Sequence, residues 1–190
     1  MQYKGLGLFW RLIGWLDNEQ YKAPSYASSE SIDWWRVAPF VLLHLALIGL
    51  YWVGWSPFAL VFAVLMYILR MFAITGFYHR YFAHKTFQTS RLGQFLFALL
   101  GATAVQRGPL WWAAHHRSHH VHSDQPQDIH SPHQHGFLWS HLGWFLSHAN
   151  FATQYERVKE LRKFPELRWL DRFDSLMPMT FALSLYFLGE

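Results

Sequence analysis

Residues 58–78 read FALVFAVLMYILRMFAITGFY, with Arg70 as the single formal charge, and the run ends directly against His79. An apolar stretch of this length crosses a hydrocarbon core about 30 Å thick as an α-helix. Just upstream, residues 37–55 read VAPFVLLHLALIGLYWVGW without any formal charge. Only Ser56 and Pro57 separate the two runs. The pair therefore reads as a transmembrane helical hairpin whose outer ends return to the same side of the bilayer.

Working outward, residues 5–16 carry Trp10, Arg11 and Trp15, the pattern of an amphipathic segment lying in the interface. They are too short and too charged for a signal peptide, and no small-residue cleavage site follows. Downstream, residues 92–105 are apolar but include Gly93, Gln94 and Gly101. That run is too short to cross, so a re-entrant or buried segment is expected. Residues 78 to about 174 then stay on the side of the N-terminus. Four basic residues lie in 1–36, eleven in 78–174 and none in the tight turn, which by the positive-inside rule makes that side cytoplasmic. Residues 137–151 mix Trp, Leu and His in a helical rhythm suited to the interface, and residues 175–188 begin another apolar run. The expectation is an all-α integral membrane protein forming one incomplete domain. Its parts are an interfacial segment (1–36), the hairpin (37–78), a cytosolic and interfacial histidine-rich cap (79–174) and the start of a further span (175–190).

Composition agrees with that reading. Of 190 residues, 52% are hydrophobic, 15% charged and 19% aromatic, with 11 Trp, far from the average soluble mix. A mean hydropathy of +0.02 is too low for a bare helical bundle, so a water-facing part must accompany the spans. The net charge is +4, but the basic residues are interleaved with apolar runs. An anionic bilayer surface fits them and nucleic acid does not. Cysteine is absent, which excludes disulfides, thiolate metal sites, iron–sulfur ligation and cysteine nucleophiles.

Histidine is concentrated: of thirteen, all but His44 lie between His79 and His148. Two spaced sets stand out, an HxxxxH (His79, His84) where the second span ends and an HxxHH (His116, His119, His120) after Trp111-Trp112. On an α-helix, positions i, i+3 and i+4 share a face, so the second set can direct three imidazoles into one cavity. At about 100° per residue, His79 and His84 sit about 140° apart on an α-helix and approach such a site obliquely. Neutral imidazole suits Fe, Zn, Cu and Ni, and five nitrogen ligands exceed one tetrahedral shell. More than one metal ion is implied. His44, His141 and His148 read as interfacial residues, and His115, His122, His133 and His135 as solvated loop residues or partners of the ligands. Arg70 reads as functional or as snorkelling to the cytoplasmic end.

The stretches TGFYHRYFAH (75–84) and WWAAHHRSHHVHSDQPQDIHSPHQHGFLWSHLGW (111–144) closely resemble the membrane fatty-acid desaturases, specifically the acyl-CoA Δ9 branch that includes stearoyl-CoA desaturase and its bacterial relatives. The resemblance runs from about residue 33 to the end. It implies a four-helix membrane fold with a cytosolic cap and two iron ions held by histidines. By position, the iron ligands are His79, His84, His116, His119 and His120. A third HxxHH and one further ligand would lie beyond Glu190. Gln106 and Trp112 match positions that form the bend of the acyl tunnel. Asp124, Asp128 and His130 match the polar stretch after the second box, where hydrogen bonds that orient the histidines are expected. Two departures stand out: Ile129 replaces a common proline, and Ala114-His115 replace an Arg-Asp pair whose arginine is associated with the CoA phosphates.

The activity implied is an O2-dependent diiron desaturase placing a cis double bond, at Δ9, in a saturated fatty acyl chain carried by CoA or a lipid. Breaking an unactivated methylene C–H needs an oxidant that no side chain supplies, so a redox metal must provide it. No haem or flavin motif is present. An external donor of the ferredoxin, rubredoxin or cytochrome b5 type with its reductase is therefore expected, docking on the basic face. The setting is a bacterial inner membrane with the boxes cytoplasmic. The rivals are a histidine-box hydroxylase of alkanes or fatty acids, a His-rich metal transporter and a catalytically dead membrane protein.

Overall fold

The computed structural model describes residues 14–22, 31–54 and 56–189. Most of the interfacial segment expected over 5–16, and Trp55 of the first apolar run, lie outside these. Among the described residues the architecture is all helical, with no strand beyond a single bridge between Ile32 and Ser147.

Helix α1 (Trp34–Ala46) continues as a 3-10 turn through Tyr51, and together they make an 18-residue helix apolar and long enough to cross a membrane. It starts three residues before the apolar run because Asp33 caps it, accepting the Arg36 amide at 3.3 Å. Helix α2 (Pro57–Phe72) opens with proline at its first position, and the Ser56 hydroxyl accepts the Ala59 amide at 3.3 Å. It continues as a π-helical segment (Ala73–Ala83), making 27 residues in all. The sixteen α-helical residues give about 24 Å at 1.5 Å per residue and the π segment adds to this, enough for a hydrocarbon core of about 30 Å.

The described residues form two compact units, one of residues 14–22, 70–123 and 152–189, the other of 31–54, 56–69 and 124–151. In the first, the π segment packs against α3 (Arg91–Ala102) and α4 (Pro109–His122), with α7 (Pro165–Arg172) beneath them. Its core joins Tyr78, Phe82, Ala98, Leu110, Ala113, Val158, Leu167 and Leu170. The Tyr78 hydroxyl donates to the Ala98 carbonyl at 3.1 Å, and Tyr81 donates to the buried Gln94 at 3.1 Å. A Cβ at Gly101 would fall inside the Tyr78 ring, so this crossing requires glycine. α3 spans only twelve residues and is half buried in protein. Asp17 anchors the N-terminal side through a two-pronged pair with Arg172, at 2.8 and 2.6 Å. Helix α8 (Leu176–Gly189) follows α7. Its Phe181 ring lies under the Arg70 guanidinium, 4.5 Å away, so Arg70 is covered by an aromatic face.

In the second unit, residues 31–33 pair with the end of a helical stretch made of a π segment (Trp139–Gly143) and α6 (Trp144–Leu146). The short α5 (Pro132–His135) precedes it. The Asp33 amide donates to the Leu146 carbonyl at 3.0 Å, and His148 Nδ1 meets Asp33 at 3.3 Å. His148 is thus paired with the residue that caps α1. His44 turns back on its own helix, with Nδ1 2.8 Å from the Phe40 carbonyl.

Candidate metal centre

The first box depends on how its helix is wound. An α-helix would separate His79 and His84 by about 140°, but residues 73–83 are π-helical. Hydrogen bonds there run from i to i+5, and the His84 amide donates to the His79 carbonyl at 3.0 Å. The two rings therefore stand one above the other, with their Nε2 atoms 3.1 Å apart. The oblique approach expected from α geometry is corrected by this widened turn.

The second box lies on α4. His116 and His120, one turn apart, bring their Nε2 atoms to 3.0 Å. His116 Nε2 is also 3.1 Å from His84 Nε2. Ring nitrogens of His79, His84, His116 and His120 all lie within 4.8 Å of one another. His119 is not in this group; its ring centre is 6.4 Å from that of His116 and 5.7 Å from that of His120. The structure thus gathers four of the five expected histidines.

Burial pushes the half-buried His116 down to about 3, helped by its imidazole neighbours His120, His79, His84 and His119. His84 is lowered for the same reasons, burial first and then His79, His120 and Arg117. At neutral pH His116 and His84 are therefore neutral, with their Nε2 atoms 3.1 Å apart. Nitrogens bound to one ion at about 2.1 Å stand about 3 Å apart at a right angle and about 3.4 Å apart at the tetrahedral angle, and three of the pairs here are 3.0–3.1 Å apart. The donor set is nitrogen only, which suits iron, zinc, copper or nickel.

Trp112 forms a wall of the group. Its ring stacks on His116 (4.8 Å, 21°) and meets His79 edge-on at 6.3 Å. Its indole N–H donates to Gln106 Oε1 at 3.3 Å, so the two residues matched to the acyl tunnel touch each other. Gln106 sits in an irregular turn, with Val105 at φ 61° and Arg107 at φ 68°. A β-branched residue in that region is strained, at a cost on the order of 1–3 kcal/mol.

Asp124, Asp128 and His130 form a self-bonded loop. Asp128, 1% exposed, accepts the amides of Asp124 (3.1 Å) and His130 (3.4 Å). Asp124 accepts the Ser131 hydroxyl at 2.7 Å, and the His130 ring packs on Trp144. His115, expected as a solvated loop residue or a partner of the ligands, is 2% exposed on the inner face of α4 and packs against Trp111 at 4.4 Å.

Two residues that sequence reasoning passed over support the site. Asp171 of α7 reaches the start of α4 and accepts the Trp111 amide at 2.7 Å, capping the helix that carries the second box. It also accepts the Thr153 hydroxyl at 2.7 Å, and a Cβ at Gly108 would collide with it. No local signal reveals a cap supplied from sixty residues away. The other is Arg117, whose only signal is its place between the histidines of the second box.

A sequence profile described as "Fatty acid desaturase" matches residues 53–189. The chain belongs to the fatty acid desaturase family. The chain is 35% identical over 176 residues to the sn-2 palmitoyl-lipid 9-desaturase of Nostoc sp. (strain 36), covering 88% of itself and 60% of that protein. It is 32% identical over 166 residues to the sn-1 stearoyl-lipid 9-desaturase of Anabaena variabilis, covering 86% of itself and 61% of the relative. Icosanoyl-CoA 5-desaturase of Limnanthes douglasii is 31% identical over 157 residues, with 80% of this chain and 44% of that protein covered. The chain thus spans about three fifths or less of the length of these relatives. Their names include both lipid and CoA carriers, so the narrower acyl-CoA branch drawn from the histidine boxes widens here to the family as a whole.

Proposed function

We propose that this chain carries part of the metal site of an O2-dependent desaturase that introduces a cis double bond, at Δ9, into a saturated acyl chain. The observation that carries the reading is the gathering of four imidazoles, from two elements, at the end of a helix able to cross a membrane. Two iron ions held by His79, His84, His116 and His120, with His119 and ligands beyond these, would supply the O2 chemistry that side chains lack. Overall, two hydrogens leave adjacent carbons. They and two further protons, with two electrons from an external donor of the ferredoxin, rubredoxin or cytochrome b5 type, reduce O2 to two waters.

The chain's own residues hold and aim. Burial keeps His116 unprotonated, so its lone pair is available at neutral pH. Trp112 lies between the imidazoles and Gln106 and gives the acyl chain an apolar wall beside the site, with Gln106 at its polar bend. Asp124, Asp128 and His130 brace the loop that follows the second box, where the two carboxylates accept amides and a hydroxyl of that loop. A lipid-linked acyl chain is the favoured substrate, because the Nostoc and Anabaena relatives are named for lipids and Ala114-His115 leave no arginine before the second box. The setting is a multi-pass membrane protein, in a bacterium the inner membrane, with the boxes cytoplasmic.

The test is expression of the full-length gene in a host lacking the activity, with fatty acids profiled by mass spectrometry. Monoenes of one position in the lipid fraction are expected, and abolished in His116→Ala at equal protein level. Hydroxylated acids in their place would transfer the site to the hydroxylases. Unchanged acyl chains alongside normal metal content would sink the desaturase reading.

A further inference from the structure

The helix that carries the first box ends at Ala83, and the last carbonyls of any helix lack partners within it. Those of Arg80 and Tyr81 accept the amides of Thr86 (3.0 Å) and Lys85 (3.1 Å), with Lys85 at φ 54° turning the chain away. Those of Phe82 and Ala83 are both taken by one side chain from another element. Arg117 donates Nη2 to the Phe82 carbonyl at 2.7 Å and Nε to the Ala83 carbonyl at 3.0 Å. Its remaining prong, Nη1, donates to the Arg157 carbonyl at 2.7 Å and pairs with Glu160 at 2.8 Å. Glu160 also meets Lys85, the residue after His84, at 2.8 Å.

Arg117 follows His116 directly, so on α4 it points about 100° away from that ring. His116 faces the imidazole group while Arg117 grips the segment that bears His84 from behind.

We propose that Arg117 is the positioning residue that sets the separation of the two histidine boxes. It caps the first-box helix from the second-box helix and so fixes His84 at 3.1 Å from His116. This rests on the reading of the rings as metal ligands. The task needs a planar fork whose donors point in several directions at once. A lysine ammonium keeps the charge, but as a point donor it cannot bridge three carbonyls and a carboxylate. The guanidinium charge at a helix C-terminus adds to the attraction.

The test uses the full-length protein in detergent, stripped of metal and titrated with Co2+, whose visible absorption reports coordination. Wild type, Arg117→Lys, Arg117→Gln, His84→Ala and the double variant Arg117→Lys with His84→Ala are compared, with helicity and melting temperature of the metal-free forms measured in parallel. Arg117→Lys should weaken Co2+ binding about 10–100-fold, the range typical of residues that orient ligands, with helicity retained. In the His84→Ala background it should cost nothing further, because Arg117 acts through His84. Equal losses in both backgrounds would mark a general stabiliser and overturn the proposal, as would a lowered melting temperature with wild-type affinity. If Arg117→Gln does not fold, the lysine variant carries the comparison. Wild type that binds no Co2+ would overturn the metal reading itself, and this inference with it; wild-type binding undiminished in Arg117→Lys overturns this inference alone.

Discussion

Asp171 shows how much a single residue can hold. Fully enclosed, it caps α4 through the Trp111 amide and binds the Thr153 hydroxyl. Burial raises its carboxyl from 3.8 to about 6, against the lowering effect of those two hydrogen bonds, with the nearby Asp174 charge adding to the rise. A folded-state value above the unfolded one means the stabilising contribution is complete below about pH 4 and is lost as pH rises through about 6. Asp171→Asn keeps an oxygen for the Trp111 amide and removes the charge. Its stability relative to wild type should therefore improve steadily between pH 4 and 7 and level off above. A difference constant across that window, measured by thermal melts, would contradict the assignment. Asp171→Ala leaves two donors unmet and should cost about 1–3 kcal/mol. None of this was legible locally, since Asp171 reads as one more surface acid in PELRWLDR. The histidines were legible, because five imidazoles at two regular spacings have a chemistry independent of their surroundings.

At the scale of elements, the π segment decides the site. Sequence periodicity assumes 3.6 residues per turn and sets His79 and His84 apart; the i to i+5 winding sets them together. The segment is held by close packing of α3 at Gly101, against Tyr78, the residue preceding His79. Gly101→Ala should force the Tyr78 ring out and break its bond to the Ala98 carbonyl, with overpacking worth about 1–3 kcal/mol. Because His79 follows Tyr78, metal content should drop along with melting temperature. A variant that melts lower but holds its full metal complement would show that the π winding does not depend on this crossing. The run over residues 92–105 reads as too short to cross, and the twelve-residue α3 agrees in length. That half of it faces protein followed only from the packing.

At the scale of the whole molecule, α1 and α2 expose aliphatic side chains such as Leu42 (63%), Leu50 (68%), Val61 (59%) and Ile68 (57%). Surfaces so uniformly apolar suit lipid and not water. The chain contains no cysteine, which makes single-cysteine labelling clean. In intact cells a membrane-impermeant maleimide should label Ser56→Cys, in the turn between the helices. It should reach Lys163→Cys, just before α7, only after permeabilisation. Labelling of both from the same side would refute the hairpin topology.

The sequence by itself determined the two long apolar runs, the absence of thiol chemistry, the two histidine boxes and, through them, the family. These are properties of composition and spacing, which survive whatever the chain packs against. Only the tertiary structure decided which imidazoles converge, that His119 stands outside the four, that His115 is buried, and that Arg117 and Asp171 secure the ends of the helices bearing the boxes. Those outcomes depend on non-standard helix winding and on contacts between residues tens of positions apart. Neither leaves a periodic trace in the chain.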